Sequence, residues 1–203
     1  MTIRKGEPWG EAAPLPADGV VATSDAEARR ALVEARAAKR PFPTIGLLGG
    51  DLCRTLGGQG DAARLHSEEA MTFPVDLGEV LLDGRLHLFV AHLVARRRFW
   101  QGRAVVAMNA AWLGELDLGP KAHPDDGLLD ISEGALSWRD RLEARRRART
   151  GAHLPHPGIE VRRTKAAQFE FDRPVPVRLD GELVGSFRSV SVRVEPDAFH
   201  VVV

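Results

Sequence analysis

Short apolar segments separated by turn residues dominate the chain after about residue 70, which is typical of a β-rich domain. In residues 188–194 apolar and polar side chains alternate strictly, as in a strand with one face in solvent. Asp83 and Gly84 form a typical tight-turn pair, so residues 79–82 and 86–94 are predicted to form a hairpin. Further strands are predicted over residues 104–108, 159–163, 169–171, 175–179 and 199–203, and a helix over residues 137–150.

The first part of the chain has a helical pattern with recognisable ends. Ser24 is followed three residues later by Glu27, the arrangement of a capping box at a helix N-terminus. The Ala-, Arg- and Glu-rich segment behind it predicts a helix to about Lys39, because Pro41 and Pro43 would stop it.

A short strand over residues 44–48 and a short helix over residues 52–56 complete one α/β unit. Residues 1–19 are rich in Pro, Gly and Glu and are expected to form an irregular lead-in. The fold class is therefore predicted as α+β, with a reduced α/β head over residues 1–65 and a β body over residues 66–203.

Composition excludes several classes of protein. The chain has 28 Lys and Arg against 28 Asp and Glu, so its zero net charge speaks against nucleic-acid binding. The single cysteine, Cys53, excludes an internal disulfide framework and a multi-cysteine zinc site. No apolar stretch reaches the roughly 18 residues of a spanning helix. A cytoplasmic protein is expected, and the basic segment 96–103 could make peripheral contact with anionic lipid headgroups.

The turn Gly49, Gly50 and Asp51 precedes a helix N-terminus. Unpaired backbone N–H groups and the helix dipole make such a position suited to an anion such as a phosphate. The same residues also fit a tight strand-to-helix turn in which Asp51 caps the helix, and the capping preference of aspartate favours this interpretation.

A second candidate lies in the loop that begins at Pro124. Asp125 and Asp126 offer two hard oxygen donors and Leu128 a backbone carbonyl, a set suited to Mg²⁺ or Ca²⁺. An ordinary Asp-Gly turn between strands explains these residues as well.

Three segments, in chain order, resemble the bacterial diacylglycerol kinase and sphingosine kinase-like lipid kinase family. Residues 45–57 (IGLLGGDLCRTLG) are similar to its second glycine motif and the short helix after it. Residues 124–130 (PDDGLLD), preceded by the apolar segment ending at Asn109, resemble its Asp-Asp-Gly-Leu-Leu-Asp loop. Residues 175–182 (VPVRLDGE) resemble its Asp-Gly-Glu turn.

The resemblance implies an antiparallel β-sandwich body and a head of the NAD kinase type. It also implies transfer of the γ-phosphate of ATP to a lipid hydroxyl. Asp180 would be the general base with Glu182 assisting it, the turn 49–51 would lie beside the nucleotide, and the loop 125–128 would hold Mg²⁺. His123 stands where the family places an acidic residue.

One departure from the family leaves alternatives open. The family's first glycine motif, Gly-Gly-Asp-Gly-Thr, which cradles the nucleotide phosphates, does not occur in the sequence. Because phosphoryl transfer depends on positioning and charge neutralisation, this favours a non-catalytic lipid-binding or regulatory module, a pseudokinase. Such a module could need a partner chain that completes the site, or form a homodimer through exposed sheet edges. A β body that binds a small anionic ligand unrelated to lipids is the third hypothesis.

Overall fold

The computed structural model describes residues 9–203, so the first eight residues of the expected lead-in lie outside it. The helices are α1 (Asp25–Ala37), α2 (Asp51–Thr55) and α3 (Trp138–Ala148). The strands are β1 (Glu11–Ala12), β2 (Val20–Ala22), β3 (Ile45–Leu47), β4 (Met71–Leu82), β5 (Arg85–Phe89), β6 (His92–Ala95), β7 (Ala104–Met108), β8 (Trp112–Leu113), β9 (Leu116–Asp117), β10 (Leu129–Gly134), β11 (Ile159–Thr164), β12 (Ala166–Leu179) and β13 (Glu182–Val202).

Most strands join one mainly antiparallel sheet in the order β1-β4-β13-β12-β6-β7-β10-β11, with β5 also paired to β4. The sheet forms a sandwich body of the α+β class, which confirms the predicted fold class. Parallel strands β2 and β3 extend this sheet, because Ile45 of β3 pairs with Val201 near the end of β13. The head and the body therefore share a hydrogen-bonded sheet, while β8 and β9 form a separate hairpin.

Helix α1 begins as the capping pattern predicts. The hydroxyl of Ser24 accepts a hydrogen bond from the backbone N–H of Glu27 at 3.3 Å. Ala28, Leu32 and other residues at helical spacing are buried against the head, which gives the helix its apolar face. The helix ends at Ala37, slightly before the predicted end.

Two apolar cores lie on either side of the junction between head and body. The body core fills the sandwich and is built from large buried side chains of β4–β7, β10, β12 and β13, among them Phe89, Leu93, Phe169, Val177 and Val190. The head core joins α1, α2 and β3 to the first half of β4 and the last residues of β13, among them Leu32, Ile45, Leu52, Val75 and Val201. Because β4 and β13 supply residues to both cores, they fix the position of the head on the body.

The prediction of one continuous strand over residues 86–94 is wrong. The segment divides into β5, which pairs with β4, and β6, which pairs with β7 and β12. Between them the backbone N–H groups of Val90 and Ala91 turn to the carboxylate of Asp180 instead of to a neighbouring strand. A side chain 90 residues away in the sequence thus determines the break.

Candidate functional site

Asp180 lies in the turn between β12 and β13, and its carboxylate is completely buried. One oxygen accepts backbone hydrogen bonds from Val90, Ala91 and His92 at 3.2, 2.9 and 3.1 Å. The backbone N–H of Asp180 in turn donates to the carbonyl of His92 at 3.0 Å. Burial raises the pKa of this carboxyl group. The side chain therefore holds the β5–β6 bend in place from inside the protein.

Two arginines of α1 reach the same turn. The Nε atom of Arg29 lies 3.7 Å from a carboxylate oxygen of Asp180. Its Nη2 atom lies 2.5 Å from the Oε2 atom of Glu182, and Arg30 contacts the other oxygen of Glu182 at 3.4 Å. The Asp-Gly-Glu turn is thus linked by ion pairs to the first helix of the head.

The N-terminus of α2 already has an acceptor from within the protein. The carboxylate of Asp25 accepts the backbone N–H groups of Asp51 and Leu52 at 2.6 and 3.1 Å. Gly50 has a φ of 100°, and a Cβ there would lie 2.5 Å from an oxygen of Asp25, so the turn requires glycine. Burial, with the charge of Asp180, raises the pKa of Asp25 to about 7. The backbone N–H groups that the sequence analysis considered for phosphate binding therefore donate to the carboxylate of Asp25.

His92 connects this turn to Asp180. Its Nε2 atom lies 2.8 Å from the Oδ2 atom of Asp51, whose carboxylate also accepts the N–H of Gly114 at 2.9 Å. Burial by itself would lower the pKa of His92, but the hydrogen bond with Asp51 and the charge of Asp180 raise it. Ligand atoms of Asp25, Asp51 and His92 lie within 4.8 Å of one another. We call these three residues and Asp180 the junction cluster.

The loop predicted to bind Mg²⁺ uses its two aspartates differently. The carboxylate of Asp126 accepts the N–H of Leu128 at 2.9 Å and forms a short ion pair with Arg163. Arg163 also contacts Asp130, with 2.8 Å between Nε and Oδ1. The carboxylate of Asp126 is therefore paired with the guanidinium group of Arg163.

Asp125 belongs instead to a group of three carboxylates. Its oxygen lies within 4.8 Å of oxygens of Asp76 and Asp197. Asp76 accepts the N–H groups of Gly127 and Asp197 at 2.6 and 2.9 Å. Burial raises the pKa of both Asp76 and Asp125 to about 6, and the charge of Asp76 adds to the effect on Asp125. The buried carboxylates of Asp76 and Asp125, with the exposed carboxylate of Asp197 beside them, are a donor set that fits Mg²⁺.

An apolar cavity of about 590 Å³ opens on the opposite face of β7 and β10 from the body core. Val106 forms part of its base, Leu113 and Leu116 come from the β8–β9 hairpin, and Leu142 and Ala148 come from α3. We call it the α3 cavity. Its volume lies in the range of small-molecule sites. Through Gly114 the same hairpin contacts Asp51, so the cavity and the junction cluster are connected by one short element.

Three arginines and a histidine add polarity to this apolar lining. Arg96, Arg141 and Arg145 line the cavity, and none of them pairs with a carboxylate in residues 9–203. The carboxylate of Glu133, which also lines it, is paired with an arginine outside the cavity. The imidazole of His153 is buried, and its Nδ1 atom has no hydrogen-bond partner in the described chain.

The comparisons with known proteins agree with this architecture. The family model of the YegS C-terminal NAD kinase beta sandwich-like domain matches residues 69–203, about two thirds of the chain. The chain belongs to this family. The YegS-type domain thus contains the cavity, Asp180 and the loop that begins at Pro124. Asp25 and the turn at residues 49–51 precede this domain.

Solved structures show the same fold. A crystal structure of a candidate diacylglycerol kinase from Bacillus anthracis str. Sterne is similar with a TM-score of 0.61 and 15% identity. The match covers 79% of this chain and 69% of the bacterial one. A second structure of such a protein from the same organism has a TM-score of 0.59 at the same identity and coverage. No curated protein matches the chain by sequence.

The structure brings together two of the residue groups predicted from sequence. Asp51 and Asp180 meet through His92, whereas Asp125 lies in the separate carboxylate group. Sequence analysis did not predict that Asp25 and His92 belong to the junction cluster, or that Arg29 contacts it. In the sequence Asp25 is only part of a capping pattern, and a histidine within an apolar run is the one available signal for His92.

Proposed function

We propose that this chain is a lipid-binding module of the diacylglycerol kinase-like family, which holds the apolar part of a lipid in the α3 cavity. The cavity itself is the observation that carries the proposal. It is large enough for a ligand, its lining is mainly apolar, and Leu142 at its mouth is 62% exposed. A buried apolar chain would cover side chains that otherwise face water.

The environment of Asp180 supports binding without catalysis. A general base must come within hydrogen-bonding distance of the hydroxyl that it deprotonates. The carboxylate of Asp180 has no exposed surface and accepts three backbone hydrogen bonds. These contacts explain the aspartate as a structural residue, and the glutamate after it, Glu182, as a partner of Arg29.

ATP-dependent phosphorylation of a lipid hydroxyl is the second candidate. The convergence of Asp51, His92 and Asp180 at one junction favours it. In this case Asp180 would be the base, ATP would bind at the turn that contains Gly49, and Mg²⁺ would be held by Asp125 with Asp76. Nucleotide phosphate could bind this turn after the side chain of Asp25 moved away, and a partner chain or a second copy could complete the site.

Calorimetric titration with 1-lauroylglycerol, a neutral single-chain lipid, tests the module. We expect saturable binding that is lost in Ala144→Trp, because this half-buried alanine lines the cavity. Ala166→Trp, at an exposed alanine outside the cavity, is the matched control. Unchanged binding in Ala144→Trp would contradict the proposal.

A phosphorylation assay with labelled ATP, Mg²⁺ and the same lipid separates the two candidates. The module predicts no labelled lipid and no saturable binding of Mg-ATP at millimolar concentration. Labelled product that disappears in an Asp180→Asn variant shown by circular dichroism to be folded would establish the kinase instead.

We also propose peripheral contact between the cavity mouth and a membrane. Phe99 and Trp138, which line the cavity, are 65% and 61% exposed beside several arginines, a combination typical of interfacial segments. None of the helices in residues 9–203 has the length and apolarity needed to span a bilayer. Sedimentation with vesicles, compared between the protein and Phe99→Ser, measures this contact.

A further inference from the structure

The α3 cavity carries positive charge, which a site for a neutral lipid does not need. Arg96, Arg141 and Arg145 bring three positive charges to an apolar cavity. No carboxylate of the described residues lies within ion-pair distance of them. Arg96 and Arg141 are half-buried and Arg145 is exposed, so their charges are available to an anionic ligand that binds in the cavity.

Arg96 is half-buried, and its Nη1 atom donates to the carbonyl of Arg97 at 3.3 Å. It follows β6 directly, its backbone N–H donates to the carbonyl of Pro176, and its guanidinium stacks on Trp100 at 4.7 Å. Burial, followed by the nearby charges of Arg178 and Arg145, lowers its pKa. The arrangement therefore concentrates positive charge between the start of the 96–100 loop and helix α3.

His153 provides a second, independent observation. Its side chain lines the cavity, only 5% of the residue is exposed, and its Nδ1 atom has no partner within residues 9–203. Burial lowers its pKa, so the ring is neutral at pH 7. A buried polar atom without a partner carries a desolvation cost that a ligand atom at hydrogen-bond distance would relieve.

We propose that the α3 cavity binds an anionic amphiphile, with its apolar chain against Val106 and Leu113 and its phosphate or carboxylate between Arg96 and Arg145. This inference rests on the proposed function and names the chemical class of its ligand. Guanidinium groups bind such oxyanions through paired, charge-assisted hydrogen bonds. His153 is the further polar contact of the bound molecule.

Competing ligands in the calorimetric titration test the headgroup. The probes are 1-lauroylglycerol 3-phosphate, laurate, 1-lauroylglycerol and inorganic phosphate, each lipid below its micellar concentration. We expect either anionic lipid to bind at least about tenfold more tightly than 1-lauroylglycerol, as charge-assisted contacts predict. Inorganic phosphate is expected to bind at least about a hundredfold more weakly than the phosphorylated lipid, because it lacks the buried chain.

Matched arginine variants locate the effect. Arg96→Gln and Arg145→Gln should each weaken the anionic lipid about tenfold and weaken 1-lauroylglycerol by clearly less, because the neutral headgroup loses no charge-assisted contact. Arg146→Gln is the control, because this arginine lies one residue further along α3, is exposed and does not line the cavity. Circular dichroism and thermal unfolding of all three variants verify that each is folded.

The outcomes separate this inference from the proposed function. Equal affinity for the neutral and anionic lipids, or equal effects of all three glutamine variants, overturns the anionic headgroup while lipid binding stands. Binding of inorganic phosphate as tightly as the phosphorylated lipid identifies a free-anion site and overturns the amphiphile. If no lipid binds, both the inference and the proposed function fail.

Discussion

Two buried histidines show how the junction cluster differs from the α3 cavity. The Nε2 atom of His92 is hydrogen-bonded to the carboxylate of Asp51, and the surrounding carboxylates raise the pKa of His92. No carboxylate among residues 9–203 raises the pKa of His153, and burial lowers it. The Nδ1 atoms of both histidines lack a hydrogen-bond partner among residues 9–203, so the two sites differ in the carboxylate that Asp51 places on His92. His153, unlike His92, lines a cavity large enough for a ligand.

The charged residues of the junction cluster and of the α3 cavity also differ in whether they have partners within the described chain. Asp25 and Asp180 accept backbone N–H groups, and Glu182 pairs with arginines of α1. Arg96 and Arg145 face apolar surface without a carboxylate from the described chain. These contacts support the proposal that the Asp-Gly-Glu turn is a structural joint and that the cavity is the binding site.

The largest expected effect comes from removing the carboxylate at the centre of the junction. Asp180→Ala leaves the buried backbone N–H groups of the β5–β6 bend without their acceptor and removes one of the two carboxylates beside Arg29, which should lower the free energy of unfolding by about 3–5 kcal/mol. Urea unfolding measures it. Asp172→Ala, at an exposed aspartate of β12, should change stability by less than about 0.5 kcal/mol. Equal, small effects of both variants would contradict a structural role for Asp180.

A smaller effect should appear in the pH dependence of stability. Because the pKa of Asp25 rises from 3.8 to about 7 on folding, the folded protein binds more protons than the unfolded chain between these values. Stability should therefore fall from about pH 4 to about pH 7, with Asp25 accounting for roughly 2–4 kcal/mol. Asp76 and Asp125 act in the same direction.

Urea unfolding of Asp25→Asn at a series of pH values isolates the contribution of Asp25 to the pH dependence of stability. The decline in stability should become shallower in this variant and stay the same in Asp172→Asn. An equally steep decline in Asp25→Asn would place the proton uptake elsewhere.

The finest test compares the two histidines directly by NMR titration. Asp51→Asn removes the carboxylate that raises the pKa of His92, so this pKa should fall. The pKa of His153 should not change, because burial is the cause of its shift. Movement of both values together would show that the two regions are not electrostatically separate.

Local patterns predict much of the secondary structure. The Asp83–Gly84 turn joins β4 to β5, Ser24 caps α1, and residues 104–108 form β7. These features depend on neighbouring residues, so the sequence contains their whole cause. The three motif segments also indicate the family, because each is a short run of consecutive residues and their order along the chain is preserved.

Contacts between distant residues are not predictable in this way. The bend at Val90 depends on Asp180, and the anion-binding groups of α2 are occupied by Asp25, which lies 26 residues before Asp51. The α3 cavity combines β7, β10, the β8–β9 hairpin and α3. No local pattern shows which of these side chains will meet.

The sequence by itself determined the α+β class, the strand-rich body and the family, because periodicity, turn residues and ordered motifs are properties of the linear chain. Tertiary structure alone decided what the charged residues do. It gave the carboxylate of Asp180 buried backbone partners and left Arg96 and Arg145 beside an apolar cavity. The physical reason is that a charged group acts according to its burial and its partners, and both are fixed only when distant segments pack together.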